Sequence, residues 1–280
     1  MSSKGGTLRA QWLGKLLRDL RESAGVSFQE AADHIVRDTS TISRMETGSL
    51  PARMSDVREL LNLYGVDDSN VRAGFEQLTR DIWKKGWWDG YADNVHTRII
   101  DLAWLESRAV RMRDFSPLVI HGLLQTRDYA EAVMRAIDPD ATDAQIARWL
   151  DFRMKRQEAL DGRDYLGVLD ESVFHRSIGG PGVMREQFAH LLDLSERPNI
   201  TIRVLPFSVS LAAGAESTFT LLTMPTPFPV VAQVTTEAGM VYVEIPKAAR
   251  FEAAYARIES HALDVEDSRM FLKSRMEKLA

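Results

Sequence analysis

The stretch SFQEAADHIVRDTSTISRMETG, residues 27–48, contains two short helical patterns separated by only a few residues. The apolar positions of the first have the i, i+3, i+4, i+7 spacing of one helix face: Phe28, Ala31, Ala32 and Ile35. The second places Ile42 and Met45 on one face and ends at Gly48. Two short helices joined by a tight turn predict a helix-turn-helix.

Further helical patterns lie on both sides of this stretch. Leucines from Leu13 to Leu20 predict a helix that ends at Gly25, and apolar residues from Val57 to Tyr64 predict another. Four amphipathic helices in about 60 residues are typical of a small bundle. We therefore expect an all-α helix-turn-helix domain over residues 8–66.

The segments SFQEAADHI, STISRMETG and DVRELLNLYGV resemble the phage-repressor-like (XRE) family of helix-turn-helix regulators. The resemblance implies that the helix with Ile42 and Met45, the second helix of the helix-turn-helix, is the recognition helix. It also implies that Glu46 is the family's structural glutamate, which ties this helix to its neighbours. Val36 stands where that family usually has the glycine of the turn.

The predicted base contacts are the side chains that face away from the apolar side of this helix: Thr39, Ser40, Ser43 and Arg44. Arg44 can make a bidentate contact to the O6 and N7 atoms of guanine. The predicted phosphate contacts are Ser27, Thr41 and Arg53. We interpret Asp38 as a helix cap only, because its carboxylate would repel a phosphate. Each of these residues also has an ordinary structural explanation, as a cap or a solvated charge, and the order and spacing of the whole set favour DNA binding.

Composition limits the remaining choices. The chain has 280 residues, is 45% hydrophobic and contains no cysteine, which excludes disulfides and cysteine-based metal sites. We expect a cytoplasmic protein of two domains, because we find neither a signal peptide nor an apolar run long enough to span a membrane. Net charge is −5 overall, although the first 65 residues carry nine Lys and Arg against eight Asp and Glu. DNA binding must therefore depend on where the charges lie.

Residues 67–95 are expected to form a linker with an aromatic cluster: Trp83, Trp87, Trp88 and Tyr91. Acidic residues and glycines accompany these aromatic residues, which favours packing of the linker against the next domain. Stacking on single-stranded bases is the alternative.

Residues 96–280 are expected to form an α+β domain. Leu102 to Met112 predict a helix and PLVI (117–120) a short strand. Helices are predicted at 127–137, 142–161, 182–195, 247–262 and 266–279, and strands at 165–170, 200–206, 217–224, 229–236 and 240–246. The predicted fold class is an N-terminal all-α helix-turn-helix bundle followed by an α+β domain.

Several segments of this region resemble the C-terminal domain of antitoxin-like actinobacterial regulators: HGLLQTRDYAEAVMRA (121–136), RMKRQEAL (153–160), VLDESVFHRSIGGPGVMREQFAHLL (168–192) and PNITIRVLPF (198–207). His121 stands where such proteins usually have proline, and AQVTTEAG stands where they have an aromatic–Val–Glu strand. The resemblance implies a possible small protein partner.

We expect no enzymatic activity, cofactor or metal. The six histidines have no metal-ligand spacing, and SIGGPG (177–182) matches no phosphate-binding loop. Asp170 and Glu171 lie at the end of a predicted strand, where active-site carboxylates are often found. Adjacent residues of a strand point to opposite faces and seldom act together, and Glu171 is a good helix cap.

The sequence therefore predicts a transcriptional regulator that binds double-stranded DNA as a homodimer, with a C-terminal domain that dimerises and senses a partner. One alternative is an antitoxin-like protein that sequesters a small protein and binds DNA for autoregulation. Another is an enzyme that its helix-turn-helix delivers to DNA.

Overall fold

The computed structural model describes residues 7–209, 217–236, 239–244 and 246–279. The chain divides into two compact units. Unit 1 comprises the residues through Gly90 together with the short segment Pro225–Phe228, and unit 2 comprises the remainder. Within the ranges described, no helix combines the length and the apolar character needed to cross a membrane.

Unit 1 is a bundle of α-helices: α1 (Leu8–Ser23), α2 (Phe28–His34), α3 (Thr39–Glu46), α4 (Met54–Leu63) and α5 (Ser69–Trp83). Their apolar faces form one core in which Leu13, Ile42 and Leu61 are almost completely buried. Burial of these side chains is the main force that holds such short helices together, because isolated helices of this length are marginal in water. The predicted bundle is confirmed.

Helix α5 lies inside residues 67–95, the segment expected to be a linker. Asp68 caps the helix by accepting hydrogen bonds from two backbone N–H groups of its first turn. Phe75 and Leu78 are buried, and the ring of Phe75 lies 6.4 Å from that of Phe228. The helix was missed because its few apolar residues are separated by many polar ones, and their helical spacing is not apparent from composition.

Unit 2 is a six-stranded mixed sheet with helices. Its helices are α6 (Thr97–Arg108), α7 (Arg127–Ile137), α8 (Asp143–Arg156), α9 (Pro181–Leu194), α10 (Ala248–His261) and α11 (Val265–Glu277). Its strands are β1 (Arg111–Ser116), β2 (Asp164–Asp170), β3 (Ile200–Leu205), β4 (Phe219–Thr223), β5 (Val231–Thr236) and β6 (Gly239–Val243). The fold class, a helical N-terminal region followed by a domain that mixes helices and strands, is confirmed.

The strand order is β3-β2-β1-β4-β5-β6. Strands β1, β2 and β3 pair in parallel, and β4, β5 and β6 continue the sheet in antiparallel fashion. Helices α7 and α8 follow β1 and α9 follows β2, which provides the long crossovers that parallel neighbours require. A core of Phe115, Val168, Phe219, Tyr255 and Ile258 joins the sheet to α10.

Two details of the sequence prediction for unit 2 were wrong. PLVI (117–120) is not a strand, and the helix predicted through Met112 ends at Arg108. The strand β1 lies between them, and it was missed because its sequence, RMRDFS, does not alternate cleanly between apolar and polar residues. The strand predicted at 240–246 corresponds to β6, although residue 245 lies outside the described ranges.

Candidate nucleic-acid interface

Helices α2 and α3 are joined by a tight turn centred on Val36. The backbone of Val36 has a φ of 54°, in the left-handed region that suits glycine. The N–H group of Val36 donates to the carbonyl of Asp33, and that of Arg37 donates to the carbonyl of Ala32. The turn therefore has the geometry usual for a glycine, with a β-branched residue in its place.

Replacing Val36 with glycine should stabilise unit 1 by about 1 kcal/mol. A left-handed conformation costs an L-residue about 1–2 kcal/mol, which glycine avoids. Part of this gain is lost because glycine increases the conformational entropy of the unfolded chain. Val36 is 87% exposed, so the change sacrifices little packing. Urea unfolding of the two proteins measures the difference. Val36→Ala is the control: it keeps a Cβ atom and should recover only a small part of the gain. A glycine variant no more stable than the wild type would contradict the expected strain.

Helix α3 has a clear division between buried and exposed residues. Ile42, Met45 and Glu46 are buried, and the predicted base contacts are all exposed: Thr39, Ser40, Ser43 and Arg44. These side chains form a polar surface that begins in the first turn of the helix. The structure therefore brings the four residues together on one face, and their contact with DNA stays a prediction.

Arg44 lies along its own helix in this structure. Its Nε atom donates to the carbonyl of Ser40 at 3.3 Å, and one terminal nitrogen lies 3.4 Å from the hydroxyl of Thr41. Both bonds are near the long limit for such contacts and are exposed or only partly buried, so they are weak. The guanidinium can be redirected at little cost, as a base contact would require.

The predicted phosphate contacts have different surroundings. Arg53 is exposed at the start of α4. Thr41 is buried, with its hydroxyl on the carboxylate of Asp38, and the hydroxyl of Ser27 donates to the carboxylate of Glu30 at 2.7 Å. Of the three, the placement of Arg53 alone leaves a side chain directly available to a phosphate.

Asp38 is the N-cap of α3, as predicted. Its carboxylate accepts hydrogen bonds from the N–H group of Thr41 at 2.7 Å and from the hydroxyls of Ser40 and Thr41. The hydroxyl of Ser40 and the N–H of Thr41 hold the pKa of this carboxyl below its usual value. The cap satisfies backbone donors that the helix would otherwise leave open.

Glu46 ties α3 to α1, which confirms its predicted structural role. The carboxylate accepts two hydrogen bonds from Arg21, from Nε at 2.6 Å and from a terminal nitrogen at 3.1 Å. Both side chains are buried, with 7% and 5% of their surface exposed. The same guanidinium lies 4.1 Å from the ring of Phe28 on α2. One arginine thus links α1, α2 and α3.

Gly14 was not identified from the sequence, yet it determines how closely α1 approaches α3. A Cβ atom at this position would overlap the carbonyl oxygen of Met45 and lie 2.7 Å from that of Glu46. The available signal was a glycine in the middle of a leucine-rich helix, where it costs stability unless close packing requires it.

Some members of the aromatic cluster make structural contacts within unit 1. Trp88 is 9% exposed, and its ring lies 5.7 Å from that of Trp87 and 6.0 Å from the guanidinium of Arg9. Trp83 is largely exposed, but its indole N–H donates to the carbonyl of Ala52 at 2.9 Å. Tyr91 belongs to unit 2. The contacts of Trp83, Trp87 and Trp88 are those of packing and hydrogen bonding, and stacking on single-stranded bases stays an alternative.

The carboxylates considered for catalysis also have structural contacts. Asp170 caps a short 3-10 helix, a role expected of Glu171. Glu171 accepts the N–H of Phe207 at 2.7 Å and lies 3.1 Å from a ring nitrogen of His175. Within the part of the chain that the structure describes, no three histidines or carboxylates are grouped as a metal site would need.

Comparison with known proteins agrees with the division at the α1–α5 bundle. A family described as a helix-turn-helix domain matches residues 12–74, and a domain of unknown function, DUF5753, matches residues 99–274. No curated protein and no solved structure matches the chain. The first match covers α2, α3 and the turn between them and indicates DNA binding. Since the second covers more than half of the chain, the protein belongs to the family described as the domain of unknown function DUF5753.

Proposed function

We propose that the protein is a sequence-specific, DNA-binding transcriptional regulator whose C-terminal domain dimerises and senses a partner. The observation that carries the proposal is the exposed polar face of α3, on which Thr39, Ser40, Ser43 and Arg44 lie beside one another. In a helix-turn-helix, the N-terminal part of the second helix contacts base edges in the major groove. Hydroxyl and guanidinium groups are suited to that contact.

The surrounding charges favour base readout over strong general attraction to DNA. Glu30 and Asp38 are carboxylates at the starts of α2 and α3, where a phosphate would otherwise approach the backbone N–H groups. These acidic caps reduce nonspecific binding, so affinity should depend strongly on the correct base sequence.

Arg44→Ala should weaken binding to the specific site by about 1–3 kcal/mol and relax the choice of base at one position. Arg53→Ala, the matched control, should weaken binding to specific and random duplexes alike. The measurement is fluorescence anisotropy on a duplex selected from a random library, with a scrambled duplex beside it and at several salt concentrations. Equal losses on both duplexes for Arg44→Ala would refute its role in base readout.

A homodimer is the expected DNA-bound form. One helix-turn-helix covers only a half-site, and the net charge of −5 gives little nonspecific affinity to compensate. We expect an inverted repeat with half-site centres about 34–36 Å apart, or a multiple of that distance. Light scattering on the free protein and on its complex measures the mass. A monomer in both samples would overturn this part of the proposal.

One observation favours the antitoxin-like alternative, in which the protein sequesters a small protein partner. Among the strands that the structure describes, β6 lies at the end of the sheet and pairs with β5. The carbonyl of Met240 on this strand accepts a hydrogen bond from Arg98, so the edge is covered in part. Edge strands can accept a strand from another protein.

Calorimetry of the full-length protein with the product of an adjacent small gene tests this alternative. If the two proteins do not bind each other, that gene product is excluded as the partner.

A further inference from the structure

A buried carboxyl group lies at the centre of the sheet of unit 2. Asp114 on β1 has no exposed surface, and its register neighbours are Gly167 on β2 and Thr220 on β4. The carboxyl accepts hydrogen bonds from Ser116 Oγ at 2.7 Å and from Thr220 Oγ1 at 3.0 Å. Burial raises its pKa to about 7. A central strand rarely holds such a group without a functional reason.

Tyr165 adds a second buried polar group beside Asp114. Its ring lies over Gly167, where a Cβ atom would be 2.9 Å from the ring edge, so the glycine leaves room for the phenol. The ring is completely buried, and its hydroxyl lies beside the carboxyl of Asp114, where it counteracts part of the rise in the pKa of that carboxyl.

His121 lies next to this pair and is nearly buried. Its Nδ1 atom accepts the N–H of Leu123 at 3.4 Å, so the neutral ring carries its proton on Nε2. Nε2 is 3.5 Å from Thr220 Oγ1 and 3.9 Å from a carboxyl oxygen of Asp114. Burial, together with the positive charges of Arg156 and Arg153, lowers the pKa of His121 to about 4.

Arg153 supplies a positive charge that forms no ion pair with a carboxylate among the described residues. One terminal nitrogen donates to Gln125 Oε1 at 2.6 Å, while the buried Nε atom has no partner in the ranges that the structure covers. Its neighbour on α8, Arg156, differs: it forms a bidentate pair with Glu106, at 2.9 and 2.6 Å. Burial and the charge of Arg156 lower the pKa of Arg153 to about 10. A guanidinium in this position is most stable with an anion beside it.

The chain segment that carries His121 is held rigidly by glutamine side chains. Gln125 Nε2 donates to the carbonyl of Ile120 at 2.7 Å, and Gln157 Nε2 donates to the carbonyls of Gly122 and Gln125 at 3.1 and 2.7 Å. Gln187 donates to the carbonyl of Leu124 at 2.7 Å. A Cβ atom added at Gly122 would lie 3.7 Å from Arg153 Nε, so the guanidinium lies directly against this segment. Side chains held in this way are typical of preorganised binding sites.

We propose that Arg153 and His121 form a binding site for a small organic anion in unit 2, with Asp114, Tyr165 and Thr220 as the polar groups behind it. The anionic oxygens, of a carboxylate or a phosphate group, bind the terminal nitrogens of Arg153, which suit both geometries. Arg153 and His121 are partly exposed, so the anion can reach them from solvent. This inference does not depend on DNA binding.

The test uses the full-length protein and two probes, inorganic phosphate and succinate, with sodium chloride at equal ionic strength as the control. The titration of His121 is followed by NMR on protein with labelled histidine, assigned with His121→Asn. A bound anion offsets the charges of Arg153 and Arg156, so it should raise the pKa of His121 by about one unit. The same anion should raise the melting temperature in a concentration-dependent way. The probe that gives the larger effect identifies the class of ligand.

Variants at Arg153 test whether this residue holds the anion. Arg153→Met should weaken binding of the effective probe about tenfold or more, the loss expected for a charge-assisted hydrogen bond. Arg153→Lys retains the charge without the planar fork and should bind with intermediate affinity, which preserves the test if the methionine variant fails to fold. Arg148→Met removes an exposed arginine from the same helix and should bind as the wild type does. If neither probe shifts His121 beyond chloride, or if both Arg153 variants bind with unchanged affinity, the proposal is wrong.

Discussion

Replacing Gly14 with alanine should destabilise unit 1 by about 3 kcal/mol, the upper part of the range for overpacked cores. The added methyl group would overlap the carbonyl oxygen of Met45 and crowd that of Glu46. Both are backbone atoms of α3, so no side-chain rotation relieves the overlap, and α1 must move away from α3. The better helix propensity of alanine, about 1 kcal/mol, offsets only part of this cost. Urea unfolding combined with amide hydrogen exchange of α1 and α3 measures the effect.

Gly25→Ala is the control for the same chemical change in the same unit. Gly25 has a φ of 68° and an added Cβ atom there would meet nothing within 4 Å. The cost should therefore be the backbone conformation alone, about 1 kcal/mol. Amides of unit 2 provide an internal reference, because neither change lies within it. Equal losses for Gly14→Ala and Gly25→Ala would show that the close approach of the two helices is not what Gly14 provides.

The helix-turn-helix could be predicted from the sequence because each local signal agrees with the final packing. Ser27 and Asp38 are caps in the structure as in the sequence pattern, and the helical spacing of Ile42 and Met45 directs both into the core. What the sequence alone could not show is the conformation of single side chains. Thr41 is buried against Asp38, for example, although a threonine one position away from the apolar face could equally have been exposed.

The sheet was harder to predict where its chemistry is unusual. Strands β2 and β3 were found at nearly their observed positions. The sequence of β2 is largely apolar, as is typical of a buried parallel strand. The sequence of β3 alternates cleanly between apolar and polar residues, and its burial alternates in the same way over its first residues. Strand β1 was missed because Arg113 and Asp114 lie in its middle. Arg113 pairs with Glu252 at 3.0 Å, and Asp114 depends on Ser116 and on Thr220, more than 100 residues away. Because Glu252 and Thr220 are so distant in the sequence, their pairing with β1 leaves no local pattern from which the strand could be predicted.

Glu46→Gln should destabilise unit 1 by about 3 kcal/mol, the lower end of the range for a broken buried pair. It removes the buried counter-ion of Arg21 and leaves, among the described residues, only Glu22, which is half exposed and lies 3.6 Å away. The amide has nearly the shape of the carboxylate, so the change tests charge and not packing. Glu76→Gln is the control, since Glu76 pairs with Arg58 in the same unit by similar bonds of 2.8 and 3.0 Å. Arg58 has 54% of its side chain exposed, so breaking this second pair should cost less than about 1 kcal/mol. Urea unfolding measures both.

The double variant Arg21→Met with Glu46→Met separates two explanations of that loss. If the cost arises from an unpaired buried charge, removing both charges should restore most of the stability, since apolar replacements of buried ion pairs are often neutral or stabilising. Recovery should be incomplete, because Arg21 also donates to the carbonyl of Val26 at 3.0 Å and packs on Phe28. If the double variant is instead as unstable as Glu46→Gln, the bidentate pair itself holds α1 and α3 together. In that case its contribution is a specific attraction that apolar packing cannot replace.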